Sequence, residues 1–84
     1  MQYVIAVYRS RNVSMQMYNF LIKNGIMAAL ISTPRAARVG CGLSVKFSYG
    51  DYLRFSDVLS RQETFAGFFL IKYTMMGGSL VTRL

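Results

Sequence analysis

The sequence predicts an α+β fold, a ferredoxin-like βαββαβ sandwich: an antiparallel sheet with two helices on one face, the other face open, and a short C-terminal tail or extra strand. Three observations predict it. Four segments carry strand patterning, two carry helical patterning, and their order places each helix as a crossover on either side of a central hairpin. The 84 residues make one domain, with its core at about 2–73 and a tail at 74–84.

Gln2 to Tyr8 (QYVIAVY) is rich in β-branched and aromatic residues with both alternate sets apolar, as a central strand requires. Asn12 is a good N-cap for a helix from Val13 to about Lys23, in which Val13, Met17, Phe20 and Leu21 form one apolar stripe. Asn24-Gly25 supplies the left-handed stop. Ile26 to Ser32 reads as the second strand, ended by Thr33-Pro34-Arg35 because proline cannot donate to a ladder. A loop, Ala36 to Gly42, leads to a third strand in which Leu43, Val45 and Phe47 alternate with Ser44, Lys46 and Ser48, one face core and the other wet or functional. Tyr49-Gly50-Asp51 makes a turn and cap before a helix from Tyr52 to about Arg61, whose stripe is Tyr52, Phe55, Val58 and Leu59. Phe65 to Tyr73 (FAGFFLIKY) is the fourth strand. Met75-Met76-Gly77-Gly78 interrupts the chain before the tail, Ser79 to Leu84, which is apolar at alternate positions.

Composition removes several chemistries. With no histidine and one cysteine there is no Ser-His-Asp or Cys-His arrangement, no intrachain disulfide and no zinc site, so no metal and no cofactor is expected. Asp51, Asp57 and Glu63 read as helix-surface residues, which argues against a paired-carboxylate hydrolase. Ten basic residues give a net charge of +7, a field that attracts phosphates, acidic protein surfaces or anionic lipids, although the charges are spread along the chain as a solvated surface requires. The longest apolar stretch, Ile26 to Ile31, is far short of the ~20 residues that cross a bilayer. Neither a membrane segment nor a leader is expected, and the lone cysteine fits a reducing compartment, so the expected location is cytoplasmic. Six Met, six Phe and six Tyr in so small a chain leave apolar surface for a homodimer.

Cys41 is the residue with chemical potential. Gly40 and Gly42 leave its sulfur uncovered and their N–H groups free to face an anion, while Arg35 and Arg38 upstream favour the thiolate. A second reading stands beside this one, since free cysteine is among the most buried residue types and Cys41 could simply pack beneath a tight turn.

The run Thr33-Pro34-Arg35, five residues, then Cys41-Gly42 and an alternating strand, preceded by a strand, a helix and Asn24-Gly25-Ile26, resembles the small bacterial selenium/sulfur carrier protein-like family. The resemblance extends from Tyr3 to about Leu59; the tail lies outside it. It implies a carrier in which Cys41 holds sulfur or selenium as a persulfide or selenosulfide; its expected surroundings are Thr33, Pro34, Arg35 and Gly42 of the motif together with Arg38 and Gly40 beside it. It further implies donor and acceptor proteins as partners, and a non-catalytic carrier rather than a turnover enzyme. No second cysteine is present to resolve a loaded sulfur, so transfer would be to another protein.

Two alternatives use other features. A small basic RNA-binding module would stack bases on Tyr3, Phe47 and Tyr49 on the open sheet face. A purely structural homodimer would pair sheet faces, or add the tail to the neighbour's sheet, and would make no use of Cys41.

Overall fold

The computed structural model describes residues Met1 to Leu84 and contains five strands and two helices. They are β1 (Gln2–Tyr8), α1 (Arg11–Lys23), β2 (Ala29–Ser32), β3 (Leu43–Phe47), α2 (Tyr49–Ser60), β4 (Phe65–Tyr73) and β5 (Ser79–Arg83), with a single 3-10 turn at Arg35–Ala37. The sheet order is β2-β3-β1-β4-β5, and every neighbouring pair is antiparallel. The α+β class, the single antiparallel sheet and the two helices follow the sequence expectation, and the tail forms a fifth strand.

Element boundaries moved where a side chain captured the backbone earlier than patterning implied. Ser10, not Asn12, caps α1: its backbone is extended and its hydroxyl accepts the Val13 N–H at 3.4 Å. Ser48 rather than Asp51 caps α2, accepting the Asp51 N–H at 3.1 Å while its hydroxyl donates to the Asp51 carboxylate at 2.8 Å. The second strand begins at Ala29, so Ile26, Met27 and Ala28 are not strand residues. Gly25, at φ +76°, turns the chain so that the Ile26 N–H bonds Leu21 O at 3.0 Å, and the Ile26 side chain is buried beside α1.

One face of the sheet packs against both helices. Val4, Ala6 and Tyr8 of β1, Val45 and Phe47 of β3 and Phe68 of β4 meet Met17 and Leu21 of α1 and Leu59 of α2. Each fully buried leucine here contributes about 1.5–3 kcal/mol. The Tyr8 hydroxyl donates to Leu59 O at 2.8 Å and so ties the central strand to the end of α2.

The opposite face is less open than expected. Ile5 and Val7 are fully buried there, in a second cluster with Ala37, Phe69 and Ile71 against which Val81 packs. The segment between β2 and β3 accounts for this, because it folds back over the sheet and docks on the end of β1. At Gly40 the approach is so close that a Cβ would overlap the Tyr8 carbonyl oxygen, and the next residue, Cys41, donates its N–H to that same oxygen at 3.0 Å.

Candidate functional site

Cys41 sits where three chain ends meet: the C-terminal end of β1, the first turns of α1 and the start of β3. Its backbone is held by the bond to Tyr8 O. Gly42, at φ +89°, then reverses the chain into β3, a conformation that side-chain-bearing residues rarely adopt. The ladder between β2 and β3 continues one step past its last strand pair, with the Thr33 N–H donating to Gly42 O at 2.9 Å. Thr33 is buried, and its hydroxyl pairs with that of buried Ser44. Thr33 and Pro34 therefore close and start the loop, Pro34 accepting the Ala37 N–H at 3.0 Å.

The sulfur is half-buried. The Cys41 thiol donates to Leu43 O at 3.7 Å, and Ser14 Oγ lies 3.9 Å from Sγ. Ser14 is itself fully buried on α1, with Leu43 O at 3.1 Å and Ser10 O at 3.3 Å from its hydroxyl. The sulfur thus lies against the N-terminal end of a helix, where the aligned peptide dipoles present partial positive charge. Arg35 and Arg38 are exposed on the same loop, but neither guanidinium hydrogen-bonds the sulfur. Of the sequence-predicted residues, the fold brings Cys41, Gly42 and Thr33 into one hydrogen-bonded unit, with Gly40 packed closely on Tyr8 beside it. It leaves both arginines on the rim.

Sequence reasoning missed Ser14 and the α1 terminus. One signal was available: Ser14 falls on the buried side of the helix with Met17 and Leu21, a hydroxyl on a stripe that should be apolar. The rings proposed for stacking bases do not share an open face. Phe47 is buried against the helices, Tyr49 lies on α2 beside Tyr52, and Tyr3 pairs with Tyr73 at 5.9 Å between ring centres beneath the Lys46 ammonium. No group of three or more His, Cys, Asp or Glu side chains comes together anywhere in the fold, and no helix is long and apolar enough to cross a membrane.

A family model described as "Putative Se/S carrier protein-like" matches residues 3–66, about three quarters of the chain. The chain belongs to this family. The match runs from β1 into the first residues of β4, so the Se/S carrier-like region includes the whole Cys41 environment and excludes β5. No curated protein and no solved structure matches the chain.

Proposed function

We propose that the protein is a carrier that holds sulfur or selenium on Cys41 for transfer between partner proteins. The observation that carries the reading is the family match, which spans Thr33-Pro34-Arg35, Cys41-Gly42 and the α1 terminus that meets them. In the proposed cycle the Cys41 thiolate attacks the terminal sulfur of a donor persulfide; the donor's inner sulfur leaves as a thiolate, and Cys41 keeps the terminal atom. An acceptor nucleophile later takes that atom and Cys41 leaves as thiolate, so no external oxidant or reductant is consumed. A selenosulfide forms and discharges in the same way.

Each surrounding residue has a part in this reading. The loaded terminal atom is anionic at neutral pH, and the α1 dipole together with Arg35 and Arg38 favours negative charge there. Gly40 and Gly42 shape the backbone on either side of the half-buried sulfur, while Thr33 and Pro34 fix the loop that carries it. With no second cysteine in the chain, the loaded form is protected from collapse into an internal disulfide. The reading takes the four strands in the order β2-β3-β1-β4 as a ferredoxin-like scaffold to which β5 is added, and the protein as a non-catalytic, cytoplasmic carrier able to form a homodimer.

Intact mass after incubation with a small-molecule persulfide donor tests it. The wild type should gain one sulfur atom that a reducing thiol removes, and Cys41→Ser should gain none. A wild type that stays unmodified under conditions that load a free cysteine peptide overturns the reading.

A further inference from the structure

We propose that Arg9, Arg11, Arg35 and Arg38 form a basic collar around Cys41 that docks an acidic protein surface. It rests on the carrier reading in one respect, that a partner must bring a sulfur or other nucleophile to Cys41. The chain distributes these four residues over two separate segments, and the fold brings the segments together. Arg9 directly follows Tyr8, whose carbonyl accepts the Cys41 N–H at 3.0 Å. Arg11 opens the helix whose Ser14 hydroxyl lies 3.9 Å from the sulfur. Arg35 starts the 3-10 turn that leads toward Cys41, and Arg38 caps it.

All four are exposed, and none has an ionic partner, because the protein's single ion pair joins Arg61 to Asp57. Asp51 is engaged in capping α2 at the opposite end of the molecule. Glu63 is the one remaining acidic side chain; it precedes Thr64, whose carbonyl accepts the Arg9 N–H at 2.8 Å, and it forms no ion pair. Four guanidinium groups therefore face at most one acidic side chain of their own chain. The residue choice is also uneven along the molecule. The three lysines, Lys23, Lys46 and Lys72, lie at the far end of the sheet and helices, whereas the Cys41 end carries only arginine. A guanidinium binds a carboxylate in a two-bond fork that an ammonium cannot form.

The chemistry of the occupant follows from burial. The sulfur is half-buried, so the reacting group must arrive on a protruding segment, and its flanks then meet the collar. Single-stranded nucleic acid would need exposed rings for its bases. The two most exposed rings, Tyr49 and Tyr73, lie at the end away from Cys41. An acidic protein segment carrying cysteine satisfies both requirements.

The test uses the full chain and two synthetic peptides, each with one cysteine activated as a 2-pyridyl disulfide, flanked by glutamates in one and by lysines in the other. The Cys41 thiolate attacks the peptide sulfur, a mixed disulfide forms and pyridine-2-thione leaves, which is read by its absorbance. The acidic peptide should react faster by about tenfold or more at low ionic strength, the advantage shrinking as salt is added. Arg9→Gln with Arg38→Gln should remove most of that advantage. Lys23→Gln with Lys72→Gln, which lowers the net charge equally at the far end, should retain it. Equal rates for the two peptides, a preference that survives the arginine changes, one lost equally in the lysine control, or a sulfur that neither peptide reaches would each overturn the proposal. So would a single-stranded RNA that blocks the acidic peptide at stoichiometric amounts, which would reassign the collar to nucleic acid. No step requires a loaded sulfur, so a protein that fails to accept persulfide yet keeps the peptide preference loses the carrier reading alone.

Discussion

The Ser14 hydroxyl and the Leu43 carbonyl are the two polar groups against the Cys41 sulfur, and they act in opposite senses. The carbonyl only accepts, and does so from both the thiol and the Ser14 hydroxyl; the hydroxyl has one proton, directed at Leu43 O and Ser10 O, which it can turn toward a loaded, negatively charged sulfur. Ser14→Ala should slow alkylation of Cys41 by iodoacetamide at neutral pH by roughly two- to tenfold, the equivalent of one net hydrogen bond, while Ser14→Thr should restore part of the rate. An unchanged rate in Ser14→Ala would make the serine a packing residue. The tyrosines give a pH dependence whose sign is fixed by their environment. Burial, then the hydrogen bond and charge of Tyr73, push the Tyr3 hydroxyl up to about 12, and burial pushes Tyr8 up further. Below about pH 10, the ordinary tyrosine value, both are neutral in the folded and unfolded chain and their contribution is complete. As pH rises from there toward 12 the unfolded chain ionises first, so stability falls. Denaturant unfolding at about pH 9 and about pH 11.5 should show that loss, and Tyr3→Phe should show less of it; an equal loss in the variant would sink the assignment.

At the level of elements, the segment between β2 and β3 decides where Cys41 lies, and its two glycines serve it differently. A Cβ at Gly42 meets no atom within 4 Å, so Gly42→Ala bears only the left-handed backbone penalty, about 1–2 kcal/mol. At Gly40 the same atom meets the Tyr8 carbonyl and the Val7 side chain, so the loop must lift, the Cys41 N–H must leave Tyr8 O, and Ile5 and Val7 lose cover. Gly40→Ala should therefore cost more than Gly42→Ala in thermal unfolding, and should also speed Cys41 alkylation; equal cost would contradict the docking described. The sequence made the strands and helices readable because their periods are local: QYVIAVY and FAGFFLIKY coincide with β1 and β4. It also placed Cys41-Gly42 at the end of a loop that leads into the third strand. What it could not express was contact between distant segments. The burial of Ile5 and Val7 depends on Ala37, thirty residues later. The Ser14 contact of the sulfur comes from α1, and the segments that carry Arg9 and Arg11 meet the loop that carries Arg35 and Arg38 only where Cys41 pairs with Tyr8. The capping serines were misassigned because Asn12 and Asp51 also suit a cap, and only the backbone's extended course at Ser10 and Ser48 decides between them.

On the scale of the whole molecule, the tail is first a part of its own subunit. Val81 packs into the second cluster, and Arg83 lies over the Phe69 ring while donating to Ala66 O at 2.9 Å. Truncation after Thr74 would strip that cover from Phe69 and would destabilise a monomer and a dimer alike, so it cannot report on assembly. A point change can. β5 is an edge strand with one side unpaired, and Leu80 on it and Leu84 just after it remain exposed, the surface a second copy would cover. Two opposing effects set the strength of such a dimer. A five-residue strand pairing and two leucines bury much less than the ~800 Å² per partner typical of stable interfaces, and two chains of charge +7 repel. The expected dimer is therefore weak, depends on protein concentration, and is strengthened by salt, because screening removes repulsion and leaves the apolar contact. Light scattering across a concentration series should show the mass rising toward two chains, more readily at high salt, with Leu80→Lys holding the protein at one chain. A wild type that remains at one chain throughout, or a dimer that Leu80→Lys leaves intact, would place β5 outside any interface.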